Sequence, residues 1–327
     1  MSVTTKEIAE ICNVSRTTVT RALYGKGRIS EETKRYILET ADRLGYQPDL
    51  LARSLVKGRS MTIGVVLCDL KNMYFPKVID AMEKIARENE YILNITLHDN
   101  NAETEKNIIK QLAGHRIDGL ILDLASYIDS NYSYLKQYPF PIVVIGGKKM
   151  AEYPYVGNNE FEAAKYAADK IAAYHYNSLY FVFPELNGNY QNSFGGHRQR
   201  LKGAKSAAEA KNLKFDVLGS NDYVQKAVSI VKNTKEKTAF LCSGDLYAGY
   251  IMMEMAGQGL TAGVDYGIMG FDHLDLMGMF PRKLTTIENN IQSVGTRSME
   301  LLLNLIAKKN VEKTIYIPHS FIDGETL

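Results

Sequence analysis

Four acidic residues of this 327-residue chain stand directly behind apolar runs: Asp69 after "TIGVVLC", Asp123 after "GLIL", Asp245 after "AFLCSG" and Asp272 after "YGIMGF". In an open α/β sheet the ligand crevice lies beyond the carboxyl ends of the strands. Carboxylates at those ends pair with sugar hydroxyls, and aromatic faces stack on the C–H surfaces of a sugar ring. Tyr74, Phe75, Phe271 and Tyr247 could serve in the second role. The plainer reading, in which such acids cap the helices that follow, applies most to Asp69 and Asp245. A second set of chemistry-bearing residues lies near the N-terminus. Arg16, Thr17, Thr20 and Arg21 share the outward face of one short helical segment. These side chains suit base edges in the DNA major groove and phosphates, because arginine binds guanine in bidentate fashion.

Other chemistries are excluded by pattern. The chain carries no GxGxxG or GxxxxGK[ST] phosphate cradle, no GxSxG elbow and no HExxH. Its six histidines (His98, His115, His175, His197, His273, His319) are dispersed, so no catalytic or metal cluster and no cofactor are expected. Cys12, Cys68 and Cys242 are far apart and match no CxxC spacing, which reads as buried free thiols. With 45% hydrophobic and 23% charged residues, the composition is that of a globular protein of two or three domains. Residues 1–60 hold 11 Lys/Arg against 7 Asp/Glu, a net +4, and leave −2 for the remainder of a chain at +2 overall. A basic module on a slightly acidic body points to a polyanion partner for the module alone. No apolar run reaches about 18 residues and the start lacks a signal-peptide core, so a cytosolic protein without membrane contact is expected.

The elements that must position these residues are legible locally. Thr4 and Glu7 form a capping-box pattern ahead of Ile8, Ala9, Ile11 and Cys12. Asn13 can take the left-handed conformation a tight interhelical turn needs. Ser15 caps the next helix, whose Val19, Ala22 and Leu23 face inward. Ser30, followed by Glu31 and Glu32, starts a third with an Ile37, Ala41 and Leu44 stripe. Two short helices across a tight turn and a third that closes the core make a helix-turn-helix. After residue 61, apolar β-branched runs alternate with amphipathic helices. The fold class expected is α/β: a mostly parallel sheet covered on both faces, divided into two lobes because there are too many units for one six-stranded sheet. Between the two parts, "DLLARSLVKG" sets Leu51, Ala52 and Leu55 on one face of a single short helix. Ten residues are too few for a stable isolated helix, so that face needs a partner.

The wording from Thr4 to Val66 resembles the lactose/galactose-repressor (LacI/GalR) family of bacterial regulators. The family pattern T-x-x-D/E-V/I-A-x-x-A-G-V-S-x-x-T-V-S-R falls on Thr4–Arg21, and L-G-Y-x-P-N falls on Leu44–Asp49. Cys12-Asn13 stand for Ala-Gly, Thr20 for Ser and Asp49 for Asn. The resemblance implies that Arg16, Thr17 and Arg21 read bases, that Thr4, Ser15 and Tyr46 sit against phosphate or support the fold, and that Leu51, Ala52 and Leu55 form a hinge helix. Leu55 would then wedge open a central pyrimidine–purine step in the minor groove, pairing with its dimer mate. The body resembles, more loosely, the family's regulatory domain, which looks like periplasmic sugar-binding proteins. "RLKGAKSA" matches R-x-x-G-F/W, implying an effector-binding Arg200. "IMGFD" matches V-x-G-Y/F-D, implying Asp272, and "LTTIENN" places Asn289 in the cleft. "CSGD" stands for A-x-N-D, keeping Asp245 but setting Gly244 where the family has Asn, and Tyr74-Phe75 match an aromatic pair found in some members.

These readings imply residues 1–47 as the DNA-binding domain, 48–60 as hinge, and 61–327 as the effector domain. Its lobes are expected at about 61–157 with 288–310, and 158–287 with 311–327. The expected protein is a cytoplasmic homodimeric repressor and not an enzyme, with double-stranded operator DNA as partner. A small carbohydrate effector bound at Tyr74, Phe75, Asp123, Arg200, Asp245, Asp272 and Asn289 would release it. Control by a corepressor or partner protein is the alternative within the family, and a sugar-acting α/β enzyme the remote one. The absence of a leucine-heptad tail favours a dimer over a tetramer.

Overall fold

The structure, a computed structural model, describes residues 3–25, 27–46, 58–71, 73–126, 129–183 and 195–327. The chain divides into two compact units, Met1–Ser60 and Met61–Leu327. In the first, α1 (Thr5–Ile11), α2 (Arg16–Tyr24) and α3 (Glu31–Arg43) enclose Ile8, Ala9, Cys12, Val19, Ala22, Ile37 and Ala41. The caps are those the residue types dictate. Thr4 and Glu7 satisfy each other's backbone amides, and the Ser15 and Ser30 hydroxyls accept from the amides of Thr18 and Thr33. Asn13 makes the interhelical turn at φ 50°.

The second unit holds two six-stranded sheets. The first contains β1 (Thr62–Leu67), β2 (Ile92–Leu97), β3 (Gly119–Asp123), β4 (Ile142–Ile145), β5 (Tyr155–Asn158) and β11 (Thr314–Ile317), in the order β11-β5-β4-β3-β1-β2 and parallel throughout. The second contains β6 (Ser178–Val182), β7 (Lys214–Leu218), β8 (Thr238–Cys242), β9 (Gly267–Phe271), β10 (Thr285–Glu288) and β12 (Ser320–Ile322), in the order β12-β10-β9-β8-β6-β7. Only β12 of this sheet runs antiparallel, against β10. Among the helices, α4 (Tyr74–Glu88), α5 (Ala102–Gly114) and α10 (Ile291–Ile306) belong to the first lobe. The second carries α6 (Glu160–Ala173), α7 (Gly195–Ala210), α8 (Tyr223–Asn233) and α9 (Asp245–Gly257). The fully buried strands β4, β5, β8 and β9 are the near-continuous apolar runs that a doubly covered parallel sheet requires.

The chain passes between the lobes three times, after Asn158, after Glu288 and after Ile317. The last passage corrects the expected boundary, which put all of 311–327 in the second lobe. "TIYIPHSFI" breaks at Pro318-His319. Thr314–Ile317 pairs with β5, Tyr316 meeting Tyr155 edge-on at 5.9 Å with Ile317 in the first core, and only Ser320–Ile322 joins the second sheet. Without β11, β5 would be an open edge. Leu51, Ala52 and Leu55, expected to form the hinge, lie outside the described residues.

Candidate functional site

Two sites follow from the fold. On the first unit, Ser15, Arg16, Thr17, Thr20 and Arg21 are all exposed on α2 or its cap, while Val19 and Ala22 of the same helix are buried. The Thr20 hydroxyl donates to the Arg16 carbonyl at 2.9 Å. Thr4 is also exposed, its hydroxyl donating to Glu7 at 3.0 Å within the cap. A helix that buries one stripe and presents two arginines and two threonines on the other has the form of a groove-reading helix.

In the body, the second lobe assembles its site from pieces far apart in sequence. Helices α6 and α7 approach closely because their facing stripes are small: Ala163, Ala164, Ala167 and Ala168 on one, Ala204, Ala207 and Ala208 on the other. A Cβ on Gly203 would stand 2.1 Å from the Phe161 carbonyl oxygen, so glycine permits the contact. This packing sets Arg200, on α7, against Glu160, the first residue of α6. Arg200 Nε donates to Glu160 Oε2 at 2.6 Å and Nη2 to Oε1 at 3.2 Å, a side-on fork. Nη1 donates to the Ser243 carbonyl at 2.7 Å and Nη2 to Asp272 Oδ1 at 3.4 Å. The guanidinium carbon sits 4.3 Å from the centre of the Phe271 ring. Asn289 Nδ2 holds the same Asp272 oxygen at 2.8 Å.

Electrostatics follow from burial. Arg200 is buried, which opposes its charge, yet Glu160 and Asp272 raise its affinity for the proton above the ordinary value. Burial raises Asp272 above the usual carboxylate range. The Tyr74 hydroxyl, from the N-terminus of the first lobe's α4, is pushed well up by burial and by the charges of Glu160 and Asp272. Tyr155, also held up by burial, feels both Glu160 and Asp123 and donates to the Gly146 carbonyl at 2.7 Å. The strand ends of both lobes therefore face one charged centre. Asn158 ties the passages together, its Nδ2 donating to the Asn289 carbonyl at 2.9 Å and to the Ile317 carbonyl at 3.0 Å. The side-chain oxygens of Asn158 and Asn289 are buried and accept no hydrogen bond from the described residues.

The structure thus brings together Tyr74, Arg200, Asp272 and Asn289. Asp123 lies at the end of β3 beneath Gly146, whose φ of 84° and lack of a Cβ (2.3 Å from Asp123 Oδ1) make room for it. Two expected site residues lie elsewhere. Phe75 is buried in the first-lobe core and meets Tyr74 edge-on at 5.1 Å. The carboxylate of Asp245 is fully enclosed: Oδ1 accepts from the Thr286 hydroxyl at 2.6 Å and Oδ2 from the Leu274 amide at 2.7 Å. Its two oxygens are thereby engaged by the strand and loop beside Asp272, itself at φ 97°. Sequence reasoning missed Glu160, Asn158, Tyr155 and His197. His197 stacks on Phe183 at 4.3 Å, and its Nδ1 is 2.6 Å from the Ser243 hydroxyl. The only signal for Glu160 was its place behind the helix-capping Asn159, which reads as a favourable first-turn acid.

The buried titratable groups predict a pH profile. Burial pushes Asp245 up to about 8 and Glu105 to about 7, and burial with the nearby charge of Glu105 pushes Asp123 to about 7. Burial lowers His98 to about 4 and His197 to about 3. The acids hold protons in the folded state that the unfolded chain has released, so they lose stability as pH rises through 4–8. The histidines act oppositely, but only below their ordinary value near 6.5. Above that the acids act alone. The thermal midpoint of the body should fall between pH 6.5 and 8.5, at up to about 1.4 kcal/mol per pH unit for each proton difference. A midpoint that is flat or rises over that interval would contradict these environments.

Among the described residues no helix is long and apolar enough to cross a membrane. Comparison with known proteins covers both units. Residues 4–49 match the family of bacterial regulatory proteins of the lacI family, and residues 60–325 match the periplasmic binding proteins and sugar binding domain of the LacI family. The chain is 26% identical over 328 residues to catabolite control protein A of Priestia megaterium, covering 98% of this chain and 97% of that protein. It is 27% identical to the HTH-type transcriptional repressor PurR of Vibrio campbellii, over 96% and 95% of the two chains. Among solved structures, the lac repressor dimer bound to operator and the anti-inducer ONPF superposes with a TM-score of 0.88 at 20% identity, covering 100% of this chain and 99% of that one. A LacI family regulator from Enterococcus faecium with bound ribose superposes with a TM-score of 0.69 at 20% identity over 81% and 98%. The exposed helix of a helix-turn-helix unit, the two-lobed body and the family matches over both place this chain in the LacI family of DNA-binding transcriptional regulators, which respond to small-molecule effectors and are not enzymes.

Proposed function

We propose that the chain is a cytoplasmic homodimeric repressor whose interlobe cleft binds a small carbohydrate and thereby lowers affinity for a pseudo-palindromic operator. The observation that carries this reading is the meeting of Arg200, Asp272, Asn289 and Tyr74 at the carboxyl ends of strands from two lobes, where orphaned side-chain oxygens offer acceptors to hydroxyls. A relative crystallised with ribose supports a sugar. In this reading Arg16, Thr17 and Arg21 contact base edges, and Thr4, Ser15 and Thr20 contact or support phosphate contacts. Dimerisation is supported by apolar side chains left outward on both lobes: Ile92 (61% exposed) with Ile95 on β2, and Met253 (62%) with Tyr250 on α9. A second copy of the chain is the occupant that a two-fold operator requires. Selection of bound fragments from genomic DNA, followed by titration of a sugar panel against the selected site, tests the proposal. Enrichment of a palindrome from which one sugar releases the protein is expected; enrichment of none would overturn it.

Residues 51, 52 and 55 are assigned to a hinge that enters the minor groove, with Leu55 as the wedge. Unstacking a base step costs a few kcal/mol, offset by the contacts that the bend allows. Leu55→Ala should weaken specific operator binding about tenfold or more and leave sugar affinity unchanged. Operator affinity equal to the parent's would refute the wedge.

A further inference from the structure

A guanidinium has five N–H donors in a planar fork, and that fork is what chelates a carboxylate or phosphate. In Arg200 the fork is already spent. Nε–H goes to Glu160 Oε2, the two Nη2 hydrogens go to Glu160 Oε1 and Asp272 Oδ1, and one Nη1 hydrogen goes to the Ser243 carbonyl. Phe271 lies against the group's π-face. One N–H of Nη1 is left for a ligand. The trio of Arg200, Glu160 and Asp272 carries one positive and two negative charges, all largely withdrawn from water. The Asn289 amide nitrogen gives one of its two hydrogens to Asp272 and that of Asn158 gives both to backbone carbonyls, while the oxygens of both accept nothing from the described residues. Among the described residues, what the site leaves over is acceptors, negative charge and isolated donors, with no paired N–H fork from Arg200.

We propose that Glu160 is a positioning residue that sets charge selectivity: by holding Arg200 side-on, it turns an anion-chelating group into a single-donor contact and restricts the effector to hydroxyl-rich molecules without negative charge. Neutral sugars and amino sugars fit such a site, whose orphan acceptors take hydroxyl or ammonium donors. Uronates and sugar phosphates meet two carboxylates with no free fork to bind them. Like-charge juxtaposition of this kind strongly disfavours binding when water is excluded. Glu160→Gln leaves one amide oxygen where two carboxylate oxygens held the fork, so one of the Nε and Nη2 hydrogens loses its acceptor and the trio becomes neutral. This inference rests on the reading of the cleft as an effector site.

The test uses the full chain, with isothermal titration and thermal melts, and the probes D-ribose, D-glucose, D-glucosamine, D-glucuronate, D-glucose 6-phosphate and inorganic phosphate. The parent should bind only among the first three. Glu160→Gln should gain at least about tenfold in affinity for inorganic phosphate and for glucose 6-phosphate, whereas Glu160→Asp, which keeps the charge, should gain nothing. A purely structural role for Glu160 would move stability but not this selectivity. Binding of glucuronate or glucose 6-phosphate to the parent overturns the proposal, and that measurement needs no variant to fold. Unchanged phosphate affinity in a folded Glu160→Gln protein overturns it too. If Glu160→Gln gains phosphate while no sugar binds the parent, charge selectivity stands and the carbohydrate reading falls.

Discussion

Arg200→Ala is expected to abolish the response of operator binding to the effector and to destabilise the body severely. The two effects share one cause. Arg200 neutralises Glu160 and Asp272, whose carboxylates it contacts at 2.6 and 3.4 Å in surroundings with little water. Breaking a buried ion pair by deleting one partner costs about 3–5 kcal/mol, because the surviving charge has neither solvent nor counter-ion. For a body of this size that lowers the thermal midpoint by roughly 6–20 °C. The Met1–Ser60 unit has a hydrophobic core of its own, so the loss should fall on the melt of the body. Stability and function can be separated. Adding Glu160→Gln and Asp272→Asn to Arg200→Ala removes the stranded charges and should restore much of the midpoint, whereas the effector response should stay lost because the donor and its positioned acid are both gone. Calorimetry beside operator titration reads both. An Arg200→Ala protein that melts like the parent and still responds to the effector would show that the trio is neither a structural nor a ligand centre.

The second large effect belongs to the other unit. Arg16→Ala should leave folding untouched, since the side chain is exposed and the core beneath α2 is made by Val19 and Ala22. It should nevertheless reduce specific operator affinity steeply. A bidentate arginine–guanine contact is worth about 1–3 kcal/mol of discrimination. A two-fold symmetric site is read twice, so the loss counts in each half-site and reaches about 2–6 kcal/mol. Binding to non-specific DNA should change far less, because phosphate contacts supply that component. Relaxed preference at one base pair per half-site, in selection from a randomised operator, is the signature expected. Unchanged affinity and preference would remove Arg16 from the reading set.

Much of the first unit was legible because its signals are local. Thr4 with Glu7, Ser15 and Ser30 each act within three residues, and all three caps form as their spacing dictates. Asn13 adopts the left-handed turn that its short polar side chain allows. The alternation of strand and helix likewise announced a two-lobed parallel fold. What stayed hidden depends on partners distant in sequence. Glu160 and Arg200 are brought together by an alanine-lined helix interface and one close glycine contact, which no short window reports. Asp245 and Asp272 look alike as acids behind apolar runs, yet Thr286 and the Leu274 amide enclose the first while the second keeps the arginine. Phe75 differs from Tyr74 by one position on a helix, which suffices to turn its ring into the core. The short strand β7, exposed on alternate residues, carried too weak a run to stand out, and the split of "TIYIPHSFI" between two sheets was decided by which open edge each half could cover.

In the proposed repressor, sugar binding in the cleft and operator binding are coupled. Coupling between two binding sites is reciprocal: whatever factor a bound sugar imposes on operator affinity, the operator imposes on sugar affinity. With the operator fragment selected from genomic DNA and the sugar that binds the parent most tightly, both affinities can be measured with and without the other ligand. Operator binding should be weaker in saturating sugar, by about 5–150-fold, with an equal loss of sugar affinity on the operator complex. Operator affinity that is the same in saturating sugar as in its absence would contradict that coupling.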